Sequence, residues 1–137
     1  MKGGIDDALH FFEQSKTDCL KPDTTLYNLV IDELGKAQRY MKALLLFNEM
    51  KNNSYVPNLF TYNSLINHLG NIGMVKQVED LYKELLSDGH LPDVVTYNAL
   101  IRGFSRASQV NRAYEIFKHM IAGGCKPTPM TYSYLPN

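Results

Sequence analysis

The stretch VVTYNALIRGF (Val94–Phe104) decides the fold, because the chain writes it three times. Thirty-five residues earlier stands LFTYNSLINHL (59–69), and thirty-five before that TTLYNLVIDEL (24–34). A fixed internal period of this size marks an array of stacked units. The Tyr-Asn frame divides the chain into 24–58, 59–93 and 94–128, flanked by partial units at 1–23 and 129–137. Pro22, Pro57, Pro92 and Pro127 share one register, as do Ala8, Ala43, Val78 and Ala113; four residues beyond each of the latter stand Phe12, Phe47, Tyr82 and Phe117.

Each unit reads as two helices. The first carries apolar residues at i, i+3, i+4 and i+7: Tyr27, Val30, Ile31 and Leu34, with counterparts Tyr62, Leu65, Ile66 and Leu69, then Tyr97, Leu100, Ile101 and Phe104. This is one face of an α-helix. The second helix carries Tyr40, Ala43, Leu44, Phe47 and Met50, then Val75, Val78, Tyr82 and Leu85, then Val110, Ala113, Tyr114, Phe117 and Met120. Short turns at 36–39, 71–73 and 106–109 separate the two. A proline loop closes each unit, since proline cannot continue a helix and disfavours α geometry in the residue before it. One such hairpin cannot bury both apolar faces, so neighbours must stack. The expected fold is all-α, an α-α solenoid of helical hairpins. Residues 4–16 supply only a second helix and MTYSYLPN only the start of a first. We therefore expect a piece of a longer array, or self-association through uncapped ends.

Composition sets bounds on function. The 137 residues are 45% apolar with 14 charges of each sign, which predicts folding but lacks the basic excess that announces nucleic-acid binding. Cys19 and Cys125 lie about three units apart, too far for a disulfide if the units stack in order, and read as reduced thiols. No apolar run approaches a membrane span, and the N-terminus has neither a signal core nor a transit-peptide composition. His10, His68, His90 and His119 are scattered, with no metal-ligand spacing. The pairs Asp6-Asp7 and Glu79-Asp80 read as solvated charge, because adjacent helix positions point apart. Gly123-Gly124 reads as a helix stop. No catalytic constellation, cofactor motif or small-molecule site stands out.

A second face runs along the first helices: Thr25, Asn28, Asp32, Lys36; Phe60, Asn63, Asn67, Asn71; Val95, Asn98, Arg102, Arg106. The spacings of 3, 4 and 4 put each set on one side. Asn is a poor helix former, so its recurrence at one register asks for a reason. Two readings stay open on the residues alone. One is a solvated face on which Asn serves free backbone groups near a helix start. The other is a ladder of amides, each offering a donor and an acceptor to a nucleobase edge.

The unit VVTYNALIRGFSRASQVNRAYEIFKHMIAGGCKPT resembles a pentatricopeptide repeat of the pure 35-residue type, through Thr96-Tyr97-Asn98, Leu100-Ile101, Ala113, Phe117, Met120 and Lys126-Pro127. The related tetratricopeptide repeat is one residue shorter and carries a Trp and a Leu-Gly pair that are not found here in register. The resemblance implies a right-handed superhelix whose first helices line a groove for single-stranded RNA, one base per repeat. It implies base-contacting pairs Asn28 with Asn58, Asn63 with Asp93, and Asn98 with Thr128. Thr25, Phe60 and Val95 match the positions that sandwich bases; Lys36 and Arg106 match a phosphate-contacting site, where Asn71 departs from the pattern. The implied target is pyrimidine-U-pyrimidine, although Asn–Thr is not a standard pair. The implied setting is transcript metabolism in a mitochondrion or plastid, without catalysis.

Stacking is worth roughly 1–3 kcal/mol per base, while association costs roughly 4–15 kcal/mol, so three units alone should bind weakly. A protein-interaction scaffold and an inactive fragment of a longer array are the competing expectations.

Overall fold

The computed structural model describes residues 2–17 and 23–137; the expectations for Cys19 and Pro22 lie outside the described residues. Among the described residues the secondary structure is helical throughout: α1 (Lys2–Thr17), α2 (Thr24–Lys36), α3 (Tyr40–Asn52), α4 (Leu59–Asn71), α5 (Val75–Ser87), α6 (Val94–Arg106), α7 (Val110–Ala122) and α8 (Pro129–Tyr134).

Local chemistry fixes the helix ends. Asp23, Asn58, Asp93 and Thr128 stand just before α2, α4, α6 and α8, and each side-chain oxygen accepts the backbone N–H three residues on, from Leu26, Thr61, Thr96 and Thr131. These bonds satisfy donors that a helix start leaves free. At Thr61, Thr96 and Thr131 the hydroxyl also accepts the cap residue's own N–H, which completes a reciprocal box. The other ends close through left-handed residues at two registers: Gln38, Gly73 and Ser108 after the first helices, Ser54, Gly89 and Gly124 after the second. Glycine meets that geometry without a β-carbon penalty, and Gly124 is the stop that the sequence suggests.

The chain divides into two compact units. The first, residues up to Leu65, packs α1 on α2 and α2 on α3, with the first half of α4. Its core joins Ile5 and Phe12 of α1, Tyr27, Val30, Ile31 and Leu34 of α2, Ala43, Leu46, Phe47 and Met50 of α3, and Tyr62 and Leu65 of α4. Aromatic rings meet edge-to-face, Phe12 with Tyr27 at 4.9 Å and Phe47 with Tyr62 at 5.7 Å between centroids.

The second unit, Ile66–Asn137, packs α6 on α7, with α5 and α8 also against α6. Ile66, Leu69, Val78, Leu81, Tyr82, Leu85, Tyr97, Leu100, Ile101, Phe104, Ala113, Ile116 and Met120 fill its interior. Here α4 and α6 approach through glycine: a β-carbon on Gly103 would lie 3.0 Å from the Cα of Gly70. Burial holds the Tyr82 phenol proton on to about 12, with its hydroxyl 3.3 Å from Nδ1 of His119.

Three expectations are corrected. Leu46, Leu81 and Ile116 are buried at one register of the second helices, whereas Val110 and Tyr114, assigned by spacing to the apolar face, are exposed. The second helix therefore packs over a face displaced toward the side where those three residues point. Phe117 is half-buried, its ring 5.8 Å from that of Tyr132. Glu79 is not solvated charge: Arg112 holds it through both terminal and inner nitrogens, at 2.6 and 2.8 Å, which ties α5 to α7. Its neighbour Asp80 is exposed, as expected. Cys125 is a half-buried free thiol.

Candidate nucleic-acid interface

The polar register on the first helices is built by the helix starts that follow it. In the first unit, Asn28 of α2 faces the start of α4. Its Nδ2 donates to Oδ1 of Asn58 at 3.1 Å, and its Oδ1 accepts the hydroxyl of Thr61 at 2.5 Å. Asn28 is only 6% exposed, so this amide sits inside a polar relay, and the amide that reaches solvent is that of exposed Asn58. The sequence expectation of an outward-facing Asn28 thus shifts by one partner. A turn further along α2, Asp32 accepts the Ser64 hydroxyl at 2.8 Å.

The second unit repeats the pattern with one difference. Thr131 donates its hydroxyl to Oδ1 of Asn98 at 2.6 Å, but Nδ2 of Asn98 donates to no protein group among the described residues. Thr128, its predicted partner, caps α8 instead. Asn98 and Asn63 are half-buried, and Asp93 caps α6 at 3.0 Å.

The residues matched to base-sandwiching positions lie on the surface. Thr25 is exposed, Phe60 is 55% exposed and Val95 52% exposed. Large apolar side chains left in water three residues before each of Asn63 and Asn98 are ready to cover a flat, partly apolar ligand.

The two cations matched to phosphate differ in surroundings. Lys36 lies 3.4 Å from Asp32 and 3.5 Å from Glu33, and these two carboxylates, Asp32 first, raise its pKa. Arg106 has a neutral neighbour, Asn71 Oδ1 at 3.3 Å, and is exposed. A third cation, Arg102, lies on the same stripe without a role suggested by its spacing. Its guanidinium donates to Asn67 and lies 5.4 Å from the ring centroid of Tyr134. The capping role of Thr61, Thr96 and Thr131 is not among the sequence expectations, although the cap residue three positions before each Thr is the signature that finds it.

Among the described residues no group of three or more His, Cys, Asp or Glu comes together as a metal site, and no helix is long and apolar enough to cross a membrane. Within each compact unit an amide, an exposed apolar side chain and a cation share the first-helix register and offer hydrogen bonds, stacking and charge to a ligand.

Known proteins share this architecture. The crystal structure of the pentatricopeptide repeat protein PPR10 in complex with an 18-nt psaJ RNA element superimposes with a TM-score of 0.84 and 29% identity, over 97% of this chain and 20% of that one. The structure of PPR10 from maize gives 0.82 and 26%, over 97% and 19%. The PPR domain of Arabidopsis thaliana protein-only RNase P 1, in complex with tRNA, gives 0.85 at 20% identity, over 98% and 71%, a likeness of fold. This chain spans about a fifth of the length of PPR10. A search of curated protein sequences returns no significant match. The sequence profile of the PPR repeat family matches residues 22–71, 57–106 and 92–137, and the chain belongs to that family.

Proposed function

We propose that this chain is a non-catalytic module that binds single-stranded RNA along the polar stripe of its first helices. Each of 24–58, 59–93 and 94–128 takes about one base. The observation that carries this reading is the pairing of an exposed apolar side chain with an amide three residues on, Phe60 with Asn63 and Val95 with Asn98, at a 35-residue interval. Stacking on the first and hydrogen bonding to the second is how single-stranded bases are recognised. That PPR10 was crystallised with RNA supports the ligand class.

In this reading the base-edge groups come from exposed Asn58, which the buried Asn28 holds, from Asn63 with Asp93, and from Asn98 with Thr128. The sandwiching groups are Thr25, Phe60 and Val95. Lys36 and Arg106 meet phosphate, Arg106 more strongly because among the described residues no carboxylate competes for it. The target is pyrimidine-U-pyrimidine, and the setting is organellar transcript metabolism.

The test is a low-salt titration of fluorescent U-rich, A-rich and scrambled oligonucleotides, with Asn63→Ala and Asp93→Ala as controls. The reading requires tighter binding of the U-rich strand and loss of that preference in both variants. Equal or absent binding by all RNAs, unchanged in the variants, would overturn it in favour of a protein scaffold.

A further inference from the structure

The four arginines of the chain divide by what they hold. Arg39 lies against Asp6 and Arg112 against Glu79, both carboxylates. Arg102 and Arg106, one helical turn apart on α6, hold amides instead: the Arg102 guanidinium donates to Oδ1 of Asn67, and Nη1 of Arg106 donates to Oδ1 of Asn71 at 3.3 Å. Among the described residues neither of the two forms an ion pair. The fold does not ask for a cation at the Arg102 register. The equivalent residues of α2 and α4 are Asp32 and Asn67, and both helices form with them in place.

A guanidinium can only donate, so each arginine fixes its amide partner with the oxygen toward itself and Nδ2 turned away. Neither Nδ2 meets an acceptor among the described residues, and Nδ2 of Asn98, one turn before Arg102, is free likewise. Along this edge of α4 and α6 the amide oxygens are engaged within the protein. What is left over is a row of N–H donors and two full positive charges. A nucleobase edge has no charge to answer two guanidinium groups; a phosphodiester has both the charge and the acceptor oxygens.

Arg102 is also held ready. Its guanidinium lies 5.4 Å from the ring centroid of Tyr134, its Nε is sealed from solvent, and one terminal nitrogen is tied to Asn67. The other, Nη1, has no partner among the described residues and is not sealed as Nε is. A side chain already fixed in place gives up less freedom when it binds.

We propose that Arg102 is a phosphate-contacting residue beside Arg106, so that the α6 edge holds two backbone phosphates of the bound strand and anchors it electrostatically. The inference rests on the RNA reading above and deepens it. At the equivalent edge of α2 the single cation, Lys36, is answered by Asp32 at 3.4 Å, which leaves that edge without the same pull.

The test measures affinity for a nine-nucleotide uridine strand, U9, by fluorescence anisotropy at several salt concentrations, using the full chain and the variants Arg102→Gln, Arg102→Lys and Lys42→Gln. Lys42 is exposed on α3, so its variant removes an equal charge away from the edge. The slope of log affinity against log salt should fall by about 0.7 in Arg102→Gln, the value for one phosphate contact to a single strand, and be kept in the other two variants. A purely structural clasp on Asn67 and Tyr134 would change stability in urea and leave that slope alone. An unchanged slope in a folded Gln variant, or an equal fall in Arg102→Lys or Lys42→Gln, overturns the proposal. Guanidinium 15N–1H signals of the parent give a reading that needs no variant: Arg102 and Arg106 should shift as U9 is added, and Arg39 and Arg112 should not. An Arg102 signal unmoved at saturating U9 overturns the inference and leaves the RNA reading standing. Failure of the parent to bind U9 at any salt refutes that reading and the inference with it.

Discussion

The helices α2 and α6 occupy the same register, yet their polar edges end in different states. On α2, Asn28 is bonded at both ends of its amide, Asp32 takes the Ser64 hydroxyl, and Lys36 lies between two carboxylates. On α6, among the described residues, Asn98 keeps a free donor, Arg102 stacks over Tyr134, and Arg106 meets the neutral Asn71. The first edge is closed by its own side chains; the second leaves a donor and cations for a ligand. A repeat register thus fixes backbone and core, whereas binding capacity is set residue by residue on top of it. Means of joining helices differ as well. The first unit fastens α2 to α4 with polar bonds, and the second brings α4 to α6 by removing side chains at Gly70 and Gly103.

The largest effect should come from breaking the glycine contact. Gly103→Ala places a methyl 3.0 Å from the Cα of Gly70, so that backbone must give by a few tenths of an ångström, and should cost about 1–3 kcal/mol of stability in urea denaturation. Gly4→Ala on α1 meets nothing within 4 Å and should stabilise by roughly 1 kcal/mol through helix propensity alone. If both variants respond alike, close approach is not what joins α4 to α6.

Next in size is the contrast between the two amides. Asn28→Ala removes the short acceptor of the buried Thr61 proton and a donor to Asn58, and should cost about 1–3 kcal/mol. Asn98→Ala removes one half-buried bond and should cost about 1 kcal/mol or less, again by urea denaturation. Equal losses would erase the difference between closed and open edges.

Charge should separate the two edges in RNA affinity. Arg106→Ala is expected to lower affinity for U9 several-fold and the slope of log affinity against log salt by about 0.7, the value for one phosphate contact to a single strand. Lys36→Ala should change both less, since its carboxylate neighbours oppose phosphate. Asp32→Asn keeps an acceptor for Ser64 and should raise affinity about twofold by freeing Lys36. Fluorescence anisotropy at several salt concentrations checks all three.

The smallest effect is conformational. Ser54 holds a left-handed φ of 66° where Gly89 and Gly124 stand at the same register, so Ser54→Gly should stabilise by about 0.5–1 kcal/mol in thermal unfolding.

Periodicity made the first helices legible to the residue: Tyr27, Val30, Ile31 and Leu34 and their counterparts are the core that their spacing implies. The second helices were harder. Spacing of 3 and 4 admits adjacent faces, and only packing selects Leu46, Leu81 and Ile116 over Val110 and Tyr114. The candidate site was legible as a register but not as a bonding pattern. The Asn28–Asn58–Thr61 relay joins residues some thirty positions apart, and its directions follow from proton accounting in three dimensions. Pairings such as Glu79 with Arg112 are likewise invisible along the chain, because each partner alone resembles ordinary surface charge.

The central claim is that RNA lies on the first-helix stripe, and backbone and side-chain 15N–1H spectra recorded while U9 is added test it directly. The account predicts shifts concentrated at Phe60, Asn63, Val95, Asn98 and Arg106, with the outer positions of α3, α5 and α7 unmoved. Shifts centred on those second helices, or none at RNA concentrations that saturate an anisotropy titration, would contradict it.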